Sequence, residues 1–356
     1  MAAFSSLLDV LADVPDPRRA QGQLYKLPHV LLFSILAIVT GCNSYRGIVT
    51  FIDVHRRRLN AALSLNWKWA PAHTAIRYIL QGLDPAAVEA AFRQHADLLQ
   101  AARATPGQGS VALDGKTLRG SFDRLNDRAA AQVLSAFATA TTLVLAHVDI
   151  AEKSNEIPAA QALLAELGLS PGAIVMLDVL HSKRTLKAAA AANIALIVQV
   201  RDNQPTLHRR IQEIAATAVP LGSVHSHDQG RNRDERRTVA LFDPAHELTD
   251  TGWQPHVAAI IRVKRRVYTR NIATGLLRHS TETTSYVSST PVTATRAAEV
   301  IRAHWRIENT SRYSRDVTLG EDRSRIRTNP TMFARSRSFA FNILKANRTD
   351  THSQDR

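Results

Sequence analysis

Residues 172–180 read GAIVMLDVL, an apolar strand that ends at Asp178, and residues 195–200 read ALIVQV. The stretch from Leu186 to Ala192, between these two runs, has the composition of a helix. Short apolar runs that alternate with helices are typical of strands buried on both faces of a sheet. The pattern predicts an α/β domain whose mixed sheet is flanked by helices.

The same alternation extends upstream to residue 110. SVALDG predicts a strand with Asp114 near its end, TTLVLAHVDI (141–150) predicts another strand, and PAAQALLAEL predicts a helix. The preceding segment, ARATPGQGS (102–110), is small and polar and contains Gly and Pro, which is typical of a boundary between domains. We therefore place the α/β domain at residues 108–348, followed by a polar tail at 349–356.

Residues 1–102 are predicted to form an all-α domain. Apolar residues recur at helical spacing, and helices are expected at 28–41 and 44–63, after Pro71, and after Asp84-Pro85. The basic cluster His55-Arg56-Arg57-Arg58 near the end of the second of these helices suggests a module that contacts DNA ends or dimerises. A helical cap on the next domain is the alternative.

Residues of about 215–293 differ from the flanking sequence. RTVALFD, VAAIIRVKRRVYTR and TSYVSST resemble strands with no convincing helix between them, and a helix begins again near Thr295. We predict a β-rich insertion within the α/β domain.

The chain of 356 residues carries 45 Lys plus Arg against 31 Asp plus Glu, a net charge of +14. This excess favours a polyanionic partner, usually nucleic acid, over a protein that is merely basic.

Cys42 is the single cysteine, which excludes a disulfide framework and a cysteine zinc cluster. No signal peptide is recognisable at the start, and the apolar run 30–39 is too short for a membrane span. We expect a cytoplasmic protein.

Three carboxylates are candidates for metal chemistry. Asp114 and Asp178 end apolar strands, where an unpaired charge is costly unless it binds a metal or a partner, although either alone could be a turn residue. Glu308 lies in the helix RAHWRIENTSRYSRD, where it shares a broad face with His304, Trp305, Arg312 and Arg315. A simple ion pair with Arg312 explains Glu308 equally well.

Several long segments together resemble one protein family, the H-repeat-associated insertion-sequence transposases of the DDE class. The matching segments, from about residue 14 to 345, are DPRRAQGQLYKLPHVLLFSILAIVTGCNSYRGI, LDGKTLRGS, EKSNEI, LDVLHSKR, RDNQPTLHRRI, GRNRDERRTV and HWRIEN…RDVTLGEDRSRIR. The resemblance implies an RNase H-like catalytic domain with a β-rich insertion, whose catalytic and metal-binding residues are Asp114, Asp178 and Glu308. The separation between Asp178 and Glu308, about twice that between Asp114 and Asp178, fits this insertion.

The resemblance also implies the chemistry. Two Mg²⁺ ions, for which Mn²⁺ could substitute, would activate the attacking oxygen and stabilise the leaving one in a phosphoryl displacement. The chain departs from the family after IEN, where Ser311-Arg312-Tyr313 stands in place of an apolar-His-aromatic segment.

Basic and amide side chains near these motifs are predicted to contact DNA. They are Lys116, Arg119, Lys153, Asn203, Gln204, Arg312, Arg315, Arg323 and Arg325, with Arg327, Arg335 and Arg337 extending the last group. For each one, a solvated surface charge is the alternative. Collectively they imply DNA binding that weakens steeply with salt.

The predicted function is cleavage and strand transfer at the ends of an insertion sequence, by a nucleoid-associated cytoplasmic enzyme that is a homodimer on DNA. Two alternatives remain open: a decayed or domesticated DNA-binding protein without catalysis, and a Mg²⁺-dependent nuclease that does not join strands. A recombinase with a tyrosine nucleophile is disfavoured, because nothing in the sequence activates Tyr268, Tyr286 or Tyr313.

Overall fold

The computed structural model describes residues 2–103, 109–123, 125, 127–151, 156–170, 172–178, 183–230 and 232–347. The helices are α1 (Ala2–Ala12), α2 (Leu27–Val39), α3 (Tyr45–Leu63), α4 (His73–Gly82), α5 (Pro85–Ala101), α6 (Glu156–Glu166), α7 (Lys183–Ala191), α8 (Pro205–Thr217), α9 (Ala294–Tyr313) and α10 (Pro330–Ala346). The strands are β1 (Val111–Thr117), β2 (Gln132–Ala138), β3 (Val144–Ile150), β4 (Ile174–Leu177), β5 (Ala195–Val200), β6 (Gly222–Gly230), β7 (Arg233–Phe242), β8 (Ala259–Arg270) and β9 (Leu277–Ser288). A 3₁₀ turn occupies Arg119–Ser121 and a π-helical turn Ser314–Thr318.

The described strands form one mixed sheet in the order β3-β2-β1-β4-β5-β9-β8-β7-β6. β1, β4 and β5 are parallel, whereas β2–β3 and the run from β5 through β9, β8 and β7 to β6 are antiparallel. The predicted mixed α/β fold with a helical N-terminal region is confirmed. The predicted β-rich insertion contains β6 to β9, which extend the same sheet beyond β5.

The chain forms two compact units. The first contains residues up to 108, 115–159 and 307 onward, and the second contains 109–114 and 160–306. The division passes through β1, α6 and α9. These units differ from the predicted domains, because the N-terminal helices share a unit with residues 115–159 and the C-terminal segment.

Helix α2 lies in the core of the first unit. Pro28 occupies its first turn, where the missing N–H costs nothing, and Gly41 follows the helix with a φ of +92°. Nine of its residues are buried, and it packs against α1, α3 and α10. The stretch 20–39 is the one candidate among the described residues that is long and apolar enough to cross a membrane. A helix in the core of a protein passes the same test, and α2 is buried in the first unit.

Helix α10 corrects part of the sequence analysis. Arg335 and Arg337, predicted to follow the DNA backbone, are only 4% and 2% exposed in this helix. Arg335 lies 2.8 Å from Glu89 and 3.0 Å from Asp149, and Arg337 donates to Asn43. Both guanidinium groups therefore stabilise the first unit and do not follow DNA.

In the second unit, the first half of α9 covers the sheet. Val300 and Ile301 pack with Ile197 of β5, Ile261 of β8 and Tyr286 of β9. Burial of each such side chain contributes about 1.5–3 kcal/mol. The strands of the insertion thus supply the surface that fixes this half of α9.

Candidate active site

Asp114 and Asp178 lie at matching positions on neighbouring strands. Asp114 is the fourth residue of β1, and Asp178 directly follows β4. The two strands are parallel, and Leu113 lies opposite Leu177. Each aspartate directly follows one of these paired leucines in the chain. Neighbouring strands are about 4.8 Å apart. The topology thus places two carboxyl groups of the second unit side by side where β4 ends.

The two carboxylates differ in environment. Asp114 is 8% exposed, whereas the side chain of Asp178 is 37% exposed. The Nε2 atom of His304 lies 2.6 Å from Oδ1 of Asp178. Because an ionised carboxylate only accepts hydrogen bonds, the ring N–H is the donor. The imidazole is itself buried, so it holds Asp178 in a fixed orientation.

Glu308, the third predicted carboxylate, follows His304 by four residues in α9. Residues four apart lie on the same side of a helix, one turn along. The side chain of Glu308 lies outside the described residues, as does that of Arg312.

Trp305 lies beside His304 and is held by arginines of the insertion. The guanidinium carbons of Arg237 and Arg265 lie 5.3 and 5.4 Å from the centre of the indole ring, within the range of cation–π attraction. Glu235 in turn lies 3.0 Å from Arg265. The sequence placed Trp305 and His304 on one helical face but gave no sign of these partners, because the strands that carry them are distant in the chain.

Tyr286 lies on β9 and is fully buried. Burial raises the pKa of its phenol to about 12, and the charge of Asp178 adds to this effect. The hydroxyl group therefore stays protonated at any ordinary pH, which agrees with the expectation that Tyr286 is not an activated nucleophile.

Lys116 and Arg315 occupy a buried ionic cluster in the first unit. Lys116 Nζ lies 2.9 Å from the Glu321 carboxylate and also contacts Asp316, and Arg315 Nε lies 3.1 Å from Glu321. Burial would raise the pKa of Glu321, but Arg315 and Lys116 lower it to about 2. Both cations were predicted to touch DNA. Their charges are instead matched by the buried Glu321 and the half-buried Asp316, so neither cation belongs to the candidate DNA surface.

The remaining predicted DNA contacts are distributed along the chain. Arg119 and Asn203 are exposed and Gln204 is half-buried. Lys153 lies outside the described residues. Arg323 and Arg325 are exposed and line a cavity of about 620 Å³ in the first unit, together with Arg77, Arg327 and Tyr45. Arg77 and Tyr45 had not been predicted, since nothing in the sequence links them to the C-terminal arginines.

The donor set suits a hard divalent cation. Asp114 and Asp178 supply carboxylate oxygens, which Mg²⁺ and Mn²⁺ prefer. Among the side chains that the structure describes, no group of three His, Cys, Asp or Glu residues is arranged to hold a metal. That set excludes the side chain of Glu308, so the described part of the site is two carboxylates and a positioning histidine.

Comparison with known proteins identifies the family. Residues 8–96 match the DDE_Tnp_1-associated model, and residues 106–337 match the transposase DDE domain. The chain is 28% identical to the Escherichia coli K12 "Putative protein YbfL" and 27% identical to the "H repeat-associated putative transposase YhhI" of the same strain, in each case over 96% of this chain and 90% of the relative. The "Putative transposase YncI" of Escherichia coli O157:H7 is 26% identical over 91% of this chain and 83% of that protein.

A cryo-EM structure of the piggyBac transposase synaptic complex with hairpin DNA aligns with a TM-score of 0.42 at 10% identity, over 97% of this chain and 73% of that one. The family models together extend over most of the chain, and DDE domains generally act on DNA with divalent metal ions. The chain therefore belongs to the H-repeat-associated transposases, the family with a DDE domain that the sequence segments had indicated.

Proposed function

We propose that this transposase catalyses metal-dependent phosphodiester cleavage and strand transfer at the ends of an insertion sequence. The observation that carries the proposal is the β1–β4 register, which sets Asp114 beside Asp178 where β4 ends. Two adjacent carboxylates of this kind suit the binding of metal ions that act on phosphate oxygens. The parallel strands β1, β4 and β5 would form the centre of an RNase H-like domain.

Asp114 and Asp178 would hold the metal, which we propose to be two Mg²⁺ ions that Mn²⁺ can replace. When bound, the metal would lower the pKa of the attacking water or 3′-hydroxyl and stabilise charge on the leaving oxygen. His304 would keep Asp178 in its ligating orientation through the bond from Nε2. Its burial shields the imidazole from water, although the Asp178 side chain is 37% exposed.

Glu308 is proposed as the third ligand. Helix α9 sets it one turn beyond His304, on the same side of the helix. The family resemblance also implies that Glu308 is a metal ligand. Arg312 follows one further turn along, where it could contact a DNA phosphate next to the metal.

DNA would contact the exposed basic residues of both units. In the first unit, the cavity lined by Arg77, Arg323, Arg325 and Arg327 has one acid, Asp123, among its walls. Asp123 lies 3.7 Å from Arg327, which leaves positive charge in excess. We propose that this cavity binds backbone phosphates, since the planar guanidinium fork suits them.

Arg119, Lys153, Asn203 and Gln204 remain proposed contacts. Two element ends must be brought together for joining, so we propose a homodimer on DNA. We also expect the enzyme to act in the cytoplasm on nucleoid DNA.

The test is a cleavage and joining assay on DNA that carries the element ends, with Mg²⁺ or Mn²⁺. The Asp178→Asn variant keeps the size of the side chain and an acceptor oxygen for His304, so it should fold and bind DNA. It is expected to lose at least 100-fold in nicking rate, the scale on which removal of an electrostatic catalytic group acts. Glu213→Gln, an exposed acid of the same unit, is the matched control.

Nicking that survives in Asp178→Asn at the rate of the Glu213→Gln control would rule out the assignment. Nicking without joining would favour a nuclease. Binding of element ends by the wild-type chain with no cleavage under either metal would favour a decayed element.

A further inference from the structure

We propose that the outer face of the insertion sheet, formed by β6 to β9, binds the phosphate backbone of duplex DNA without reading its bases. The strand register defines this face, because residues directly opposite each other point to the same side of a sheet. One row across the four strands is His227–Arg236–Arg266–Thr281. The inference rests on the proposed function in taking DNA as the partner.

The neighbouring rows have the same character. On one side of that row lies His225–Thr238–Lys264–Thr283, and on the other lies Gln229–Asp234–Tyr268–His279. Arg270 lies two residues beyond Tyr268 on β8, on the same face and near the end of the β8–β9 hairpin. Arg236, Lys264, Arg266 and Arg270 are all exposed, as are the three histidines.

Charge is divided unevenly between the two faces of these strands. The face towards α9 carries Asp228, Glu235 and Glu282, and these acids pair with Arg233, Arg237, Arg265 and Arg302. The outer face carries four exposed Lys or Arg residues and a single acid, Asp234, which pairs with His227 and Arg236. The outer face is therefore strongly positive, whereas the strands carry four arginines against three acids on the inner face, the fourth being Arg278.

Two features of the outer face serve binding better than folding. Arg236 lies directly opposite Arg266, and like charges placed opposite each other destabilise a sheet. Lys264, Arg266 and Arg270 make no ion pair with any described residue. A row of exposed, unpaired cations on a regular sheet complements a polyanion of regular charge spacing, and duplex DNA is that polyanion for a transposase.

The choice of backbone over bases follows from the width of the face and from its side chains. The major groove admits a two-stranded β-ribbon, whereas this face is four strands wide, which keeps its arginines at the backbone. Asn and Gln pairs, which recognise adenine in the major groove, are lacking among the described residues of this face apart from Gln229, whose amide donates to Asp234. Lysine and arginine contacts to phosphate position a protein on DNA and carry no sequence information. We therefore expect this face to bind DNA of any sequence.

The test compares two charge reversals on one hairpin. Arg266 is on the outer face, whereas Arg278 is exposed on the same hairpin but is opposite Thr269, on the other face. Arg266→Glu and Arg278→Glu change the net charge equally. Kd is measured for a short duplex of random sequence over a range of salt concentrations, after the thermal midpoints are shown to match.

We expect Arg266→Glu to weaken binding by roughly 10-fold and to reduce the slope of log affinity against log salt by about 1. Arg278→Glu should stay within about twofold of the wild type, and Lys264→Glu should behave like Arg266→Glu. Equal losses in the two arginine variants would show a mere effect of net charge and overturn the inference, as would no loss in either.

These outcomes are separable from the proposed function. A wild-type enzyme that cleaves element ends, with no difference between the arginine variants, would overturn the outer-face inference alone. Duplex binding that depends on Arg266, in a protein that never cleaves, would support the outer face and overturn the catalytic proposal.

Discussion

The Nε2 atom of His304 lies 2.6 Å from Oδ1 of Asp178, joining helix α9 to the end of β4 within the second unit. The same helix carries Trp305, which Arg237 and Arg265 of the insertion hold. The insertion therefore contributes to the site through α9, because it fixes the helix whose histidine orients a metal-ligand candidate. His304 is in this sense a positioning residue.

Replacement of His304 by alanine should slow cleavage by roughly 10–100-fold, the usual effect of removing the partner of a metal ligand. The metal requirement should change as well, because a loosely held Asp178 would bind the ion more weakly. The measurement is the nicking rate as a function of Mn²⁺ concentration. His208→Ala removes an exposed His–Asp pair in the same unit and is the control. A variant that is slower at every Mn²⁺ concentration by the same factor would argue against an effect on metal binding.

Gly120 marks a close approach in the first unit. A Cβ atom at this position would lie 1.7 Å from the carbonyl oxygen of Ser324, which is backbone and cannot rotate away. Gly120→Ala should therefore destabilise the protein by about 1–3 kcal/mol or more and displace the segment that carries Arg323 and Arg325. Thermal unfolding and DNA affinity are the measurements.

Gly82→Ala is the control for this prediction. Its nearest neighbour would be Pro17 Cγ at 3.7 Å, an ordinary contact, and Gly82 ends helix α4. Alanine should be neutral there or stabilising by up to about 1 kcal/mol. Equal thermal midpoints for the two alanine variants would mean that the turn at Gly120 adapts without cost.

Local patterns in the sequence predicted much of the fold. The apolar runs at β4 and β5 and the Asp84-Pro85 start of α5 determine their elements through neighbours in the chain, and all three formed as expected. Helix α10 was missed, because its Ser and Arg residues have the composition of a surface segment. Burial of Arg335 depends on Glu89, which is far away in sequence.

In the candidate site, too, local sequence predicted some features, whereas others depend on residues that are distant in the chain. Each aspartate was recognisable at the end of an apolar strand, but the register that sets them side by side belongs to the pairing of β1 with β4. Helical spacing linked His304 to Glu308. It could not show that His304 meets Asp178, since that contact depends on how α9 packs on the sheet. The charges of Lys116 and Arg315 were visible in the sequence, whereas their pairing with Glu321 was not.

Glu321 should be essential for the stability of the first unit. Glu321→Gln would remove the charge that faces Lys116 and Arg315 while retaining the shape of the side chain. Breaking a buried ion pair by removing one partner costs about 3–5 kcal/mol, because the other charge stays buried and unmatched. Urea unfolding measures the loss. The exposed substitution Glu213→Gln should change the free energy of unfolding by less than about 0.5 kcal/mol. A loss below that limit in Glu321→Gln as well would show that the cluster contributes nothing net.

The buried His95 should make the protein sensitive to mild acid. Burial lowers the pKa of its imidazole from 6.5 to about 4. The unfolded chain therefore takes up a proton below pH 6.5, while the folded chain resists protonation until about pH 4. Stability that is present above pH 6.5 is lost as the pH falls through this window, by up to about 3 kcal/mol.

His95→Phe should remove this loss, since the ring already packs against Phe339 with centroids 5.4 Å apart. The free energy of unfolding of this variant should fall less between pH 6.5 and 4 than that of the wild type. Glu89 does not obscure the effect, because its pKa is lowered from 4.5 to about 2 and its contribution is lost mainly below this window. His73→Phe, at the exposed start of α4, is the control and should keep the wild-type pH dependence. If both variants lost stability as steeply as the wild type, protonation of His95 would not be the cause.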